Sequence, residues 1–134
     1  MQTKQQERAK FALEQLESEA RNGGIDKDLA TFIVGMPNMI LSNGLGQSLA
    51  FLMAKSSKTE RKFVFDVIKK YLCDNYPKDF GAFKNDDANA EYNFLKKFNE
   101  IDQGLYIKIQ DEVLRMLEWL KRYARTFEKE SKED

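Results

Sequence analysis

From Tyr106 to Phe127 the side chains Tyr106, Ile109, Val113, Met116, Leu117, Leu120, Ala124 and Phe127 recur every three or four residues without a break. Only an α-helix puts that spacing on one face. A stripe of about six turns has to be buried along its length, so other elements must pack beside it. Asp102 stands where an N-cap is expected. The chain is therefore built around a long C-terminal helix, and the rest of the sequence must supply its neighbours.

The remaining segments read the same way. Ala9, Ala12, Leu13, Leu16 and Ala20 share one helical face, and Asn22-Gly23-Gly24 supplies a left-handed stop. Asp26 or Asp28 can cap a helix carrying Leu29, Phe32, Ile33 and Met36, which Pro37 is expected to break or kink. A buried turn then leads to Asn43-Gly44, and Leu45, Leu49 and Leu52 stack on a short helix over 45–55. Ser57 and Glu60 have capping-box spacing, and behind them Phe63, Val64, Val67, Ile68, Tyr71 and Leu72 form a wide apolar stripe ending near Cys73. Residues 74–87 read as an ordered loop pinned by Tyr76, Phe80 and Phe83. A short helix follows over 89–99, with either Tyr92, Leu95 and Phe98 or Phe94 and Phe98 as its core row. The expectation is an all-α, compact single-domain bundle of five to six helices over 1–134, with a charged tail from about 128 that has no apolar anchor.

Composition narrows the chemistry. The chain has no His, which removes the commonest general base and metal ligand and every Ser-His or Cys-His pair. The lone Cys73 reads as a small core residue without an activating base and fits a reducing, cytoplasmic location. Met1 leads into Gln-Thr-Lys-Gln-Gln with no apolar leader, and no run of apolar residues approaches the ~18 of a membrane span, so no membrane partner is expected. Asp86, Asp87 and Glu91 could gather around a divalent cation, but acidic residues in a first helical turn are accounted for by the helix dipole, and calcium-loop spacing is missing. Gly44-Leu45-Gly46 lacks the preceding strand and the Gly-Lys-Ser/Thr of a phosphate loop. No enzyme activity, cofactor or metal is expected.

Lysine and arginine balance aspartate and glutamate at 22 each, so any attraction to nucleic acid must be local. Between residues 55 and 70 stand Lys55, Lys58, Arg61, Lys62, Lys69 and Lys70 against only Glu60 and Asp66. At about 100° per residue from Lys58, Lys62 lies near 40° and Lys69 near 20°, while the apolar stripe centres near 220°. The basic residues oppose the core, as a solvated face or as a nucleic-acid surface. On the last helix Asp111 and Arg115, and Glu118 and Arg122, are spaced to pair, leaving Lys121 and Arg125 less obviously matched. Trp119 flanks that helix's stripe, as a core-edge residue or as an interface anchor.

Three segments together resemble the small subunit of the type III-B CRISPR RAMP module, the Cmr effector complex. They are Arg8-Ala9-Lys10-Phe11-Ala12; Pro37 through Asn43-Gly44-Leu45-Gly46-Gln47 to Leu49-Ala50-Phe51-Leu52; and Leu117-Glu118-Trp119-Leu120-Lys121-Arg122-Tyr123-Ala124. The resemblance implies a helical bundle without nuclease activity, serving antiviral defence inside a ribonucleoprotein whose CRISPR RNA pairs with target RNA. It implies association with other effector subunits, self-association in a filament, and basic surfaces facing guide and target strands. Lys55, Lys58, Arg61, Lys62, Lys69, Lys70, Lys121 and Arg125 are the candidate phosphate contacts. Asn43, Gly44 and Gly46 would shape an inter-helix corner, with Gln47 bonding to neighbouring backbone. The rival reading is a helical adaptor that binds protein, through Trp119, Phe80 and Phe83, and never touches RNA.

Overall fold

Three of the helices begin where a side chain satisfies a free amide. A computed structural model describes residues 1–54, 58–85 and 89–129. Helix α1, Lys4–Glu19, starts in a capping box in which Thr3 and Gln6 exchange hydrogen bonds, a signal the sequence reading passed over. The Asp26 carboxylate accepts from the amide of Asp28 at 3.3 Å and opens α2, Lys27–Ala54. Helices α3 (Thr59–Asn75), α4 (Pro77–Phe80) and α5 (Ala90–Phe98) follow, and Asp102 caps α6 (Gln103–Thr126) through the amide of Leu105 at 2.8 Å. The fold is all-α, with no strand among the described residues. Ser57, half of the expected capping box, lies outside the described residues; Lys58 occupies the N-cap of α3 without a side-chain bond.

The chain divides into two compact units. The first comprises residues 1–38 and 114–134. Its buried residues include Ala12 and Leu16 of α1, Leu29, Ala30, Ile33 and Met36 of α2, and Met116, Leu117, Leu120 and Ala124 of α6. Arg8 is buried beside them, although the sequence reading gave it no place in the core. Pro37 does not break the helix. It keeps helical backbone angles and is buried, since a proline inside a helix forfeits its own amide bond but already has the helical φ. Residues 128 and 129, expected to begin a free tail, are held. The amide of Ile25 donates to the carbonyl of Phe127 at 2.7 Å, and the amide of Lys129 donates to the carbonyl of Ile25 at 2.9 Å. A side chain at Gly24 would lie 2.7 Å from the Phe127 carbonyl oxygen, so only glycine admits this clasp. Residues 130–134 lie outside the described residues.

The second unit, residues 39–113, has an aromatic centre. Phe80 packs on Phe94 with ring centroids 5.4 Å apart, Phe65 meets Phe94 edge-on at 5.9 Å, and Phe98 lies 5.1 Å from Tyr106. Phe94 and Phe98 form the core row of α5, while Tyr92 is exposed. The segment expected to be a loop is mostly helical: α3 runs to Asn75, and α4 and a 3₁₀ turn, Gly81–Phe83, follow at once. Pro77 opens α4 at the position where its missing amide costs nothing.

α2 is long and apolar enough to cross a membrane, with mean hydropathy 1.2, contrary to the expectation that no segment approached that length. Six of its large apolar residues, Ile33, Met36, Ile40, Leu45, Leu49 and Leu52, are fully buried inside the protein, while Leu41 and Phe51 are exposed.

Candidate functional site

The break in α2 falls at Gly44, seven residues beyond Pro37. There φ is 83° and ψ 158°, a conformation essentially restricted to glycine. The turn releases the first amides of the following helical segment, and two side chains of α6 accept them. Leu45 donates to Gln110 Oε1 and Gly46 to the Tyr106 hydroxyl, each at 2.9 Å, while Ser48 Oγ donates to the Gly44 carbonyl at 2.8 Å. A side chain at Gly46 would stand 3.3 Å from the Tyr106 hydroxyl. Asn43 and Gln47 are exposed, and the Gln47 side chain makes no hydrogen bond among the described residues. The corner's free amides are bonded instead by Tyr106 and Gln110, four residues apart on α6, of which the sequence pattern places Tyr106 on the apolar stripe and gives Gln110 no role.

The basic residues of α3 do not form one open face. Lys58 and Lys70 are exposed, and neither forms an ion pair among the described residues. Lys62 is exposed but sits 3.2 Å from Asp66 and 3.7 Å from Glu91. Arg61 lies 4.1 Å above the ring of Phe51, with its Nη1 buried and without a hydrogen-bond partner. Lys69, expected opposite the core, is only 7% exposed. The reason is the segment read as a loop: α4 and the 3₁₀ turn pack behind the second half of α3, so Lys69 and Cys73 are enclosed on the side that helical geometry alone assigns to solvent. Lys69, Lys70 and Lys84 line a cleft there with Cys73 and Phe83. Burial pushes the Cys73 thiol above its ordinary value, opposed by the charges of Lys69 and Lys84. Lys55 lies outside the described residues.

On α6 the two remaining candidates are paired after all. Lys121 reaches Glu118 at 3.4 Å, taking the carboxylate that spacing had offered to Arg122, and Arg125 reaches Glu128 at 3.0 Å. Exposed pairs of this kind contribute little to stability, so they leave both cations able to exchange partners. Trp119 is half-buried. Its indole stacks on Tyr123 with centroids 5.9 Å apart, and Nε1 donates to Gln5 Oε1 at 2.9 Å, which ties it to α1. Of the acidic cluster, Asp86 and Asp87 lie outside the described residues and Glu91 faces Lys62. Among the described residues no three Cys, Asp or Glu side chains converge on a metal position.

The geometry therefore offers cations: two exposed lysines without ion pairs among the described residues, Lys58 and Lys70, and a cleft lined by Lys69, Lys70 and Lys84. No curated protein matches the sequence. The model of one protein family, described as CRISPR-associated protein (Cas_Cmr5), matches residues 4–127. That span covers both units and all three segments on which the resemblance rests, and the chain belongs to the Cas_Cmr5 family, the small-subunit family of the type III-B Cmr module.

Proposed function

We propose that this chain is a non-catalytic, cytoplasmic subunit of a Cmr effector complex that associates with other subunits, stacks on copies of itself, and supports guide and target RNA through the cations of α3. Family membership carries the first part. The single observation that supports the RNA role is the pair of exposed lysines, Lys58 and Lys70, left without carboxylates while Lys62 beside them is matched by Asp66 and Glu91. Contacts from such side chains go to phosphates and are indifferent to sequence, which suits a complex in which base pairing does the reading. Filament stacking requires a heterologous interface, one face of the chain meeting a different face of the next.

The test is target-RNA retention by the assembled complex across a salt series, wild type against Lys58→Glu/Lys70→Glu. The variant should bind more weakly, and the slope of log affinity against log salt should flatten by about 0.7 for each phosphate that is no longer neutralised. Identical curves would sink the RNA role. A second reading, a protein adaptor without RNA contact, is favoured by the exposed Leu41, Tyr92 and Ile107 of the second unit. Crosslinking of target RNA within the complex separates the two, since an adaptor yields no adduct on α3.

A further inference from the structure

The cleft behind α3 encloses about 340 Å³, within the second unit. Its two carboxylates are already engaged: Asp66 lies 3.2 Å from Lys62, and Asp74 lies 3.1 Å from Lys84. Lys69 is not engaged. More than nine-tenths of the residue is buried, it has no ion pair or hydrogen bond among the described residues, and its nitrogen is not among the sealed-off polar atoms, so the ammonium opens into the cleft. The methylene stem is buried while the ammonium keeps access to solvent with no counter-ion beside it, so its charge is available to an anion. Lys70, unpaired and exposed, borders the same space. Two ammonium groups at one opening are point charges suited to a phosphate. Phe83, half-exposed, adds an aromatic wall beside them. The volume sits at the small end of ligand pockets, about 300–1,000 Å³, room for one nucleotide and too little for a paired strand.

We infer that this cleft seats a single nucleotide of an unpaired RNA strand, its phosphate held by Lys69 and Lys70 and its base against Phe83, with the Lys84–Asp74 pair fixing the rim. The inference rests on the RNA-facing reading of α3 and adds to it a subsite and a residue, Lys84, that sequence did not single out. Stacking on one aromatic ring tolerates any base, in keeping with sequence-independent support.

The full chain, labelled with ¹⁵N, is titrated with uridine 5′-monophosphate, inorganic phosphate and uridine. The nucleotide should give saturable shifts at the amides of 69–74 and 83–84, phosphate weaker shifts at the same places, and uridine none. Lys69→Met, which keeps the buried stem, should weaken nucleotide binding about tenfold or more. Lys70→Gln, at an exposed position that the fold does not need, should weaken it severalfold and decides the matter if the first variant unfolds. No saturable shift, an equal response to uridine, phosphate binding as tightly as the nucleotide, or undiminished binding by the folded variants would each overturn the assignment. Failure here with a normal salt response of Lys58→Glu/Lys70→Glu in the complex removes the cleft alone; nucleotide binding with no RNA adduct on α3 in the complex removes the broader reading instead.

Discussion

At the scale of single residues, two positions convert local geometry into measurable energy. Gly44 holds a backbone conformation that a β-carbon opposes, and the amides it turns outward are the ones Gln110 and Tyr106 accept. Gly44→Ala should therefore cost about 1–3 kcal/mol, read as a lower urea midpoint with an unchanged m-value. A variant as stable as wild type would mean that the corner can relax into a continuous helix. Cys73 is the other position. Burial raises its thiol pKa from an ordinary value of 9.0, so the folded chain holds that proton more tightly than the unfolded chain. By linkage this contribution to stability is complete below pH 9.0, declines as the pH climbs through the unfolded value, and stops declining above the folded one. Urea titrations at pH 8 and pH 10 should show wild type losing more stability than Cys73→Ala over the interval. Parallel losses would show that the thiol titrates alike in both states.

At the scale of elements, periodicity revealed what is regular and missed what depends on a partner. The stripe on α6, the first face of α1 and the Asp102 cap were all legible, because each is a relation between residues three or four apart. Pro37 and Gly44 were misjudged together: proline looks like the stronger breaker, yet its φ already suits a helix, whereas the φ of 83° at Gly44 does not. The basic residues of α3 were legible as a set, but the enclosure of Lys69 was not. That depends on Phe80 and Phe83 folding back over α3, a long-range fact that angles around one helix do not contain. Phe80 is fully buried against Phe94 and Phe98 and anchors this cover. Phe80→Ala should cost about 3–5 kcal/mol and speed reaction of Cys73 with a thiol reagent under native conditions. Loss of stability without faster labelling would show that the cover is held by something other than this side chain.

At the scale of the whole molecule, the chain comprises two compact units. The boundaries between them fall at Asn38–Met39 and Val113–Leu114, inside α2 and α6, and neither helix departs from helical geometry at those points. Ending a helix at either place would release up to four amides and four carbonyls that now bond along the ladder. Unfolding one unit alone would have to do this twice, so the cheaper course is for both to open together. The chain carries its own reporters. Its one tryptophan, Trp119, stacks on Tyr123 in the first unit, and its one cysteine, Cys73, is 1% exposed in the second. Tryptophan fluorescence and Cys73 labelling followed through the same urea series should trace coincident transitions with one midpoint, matched by helical circular dichroism. Two midpoints would assign each unit its own stability. The order of the midpoints would then show which unit can open while the other keeps its fold, and a subunit held in a larger assembly could use such an opening only in the less stable of the two.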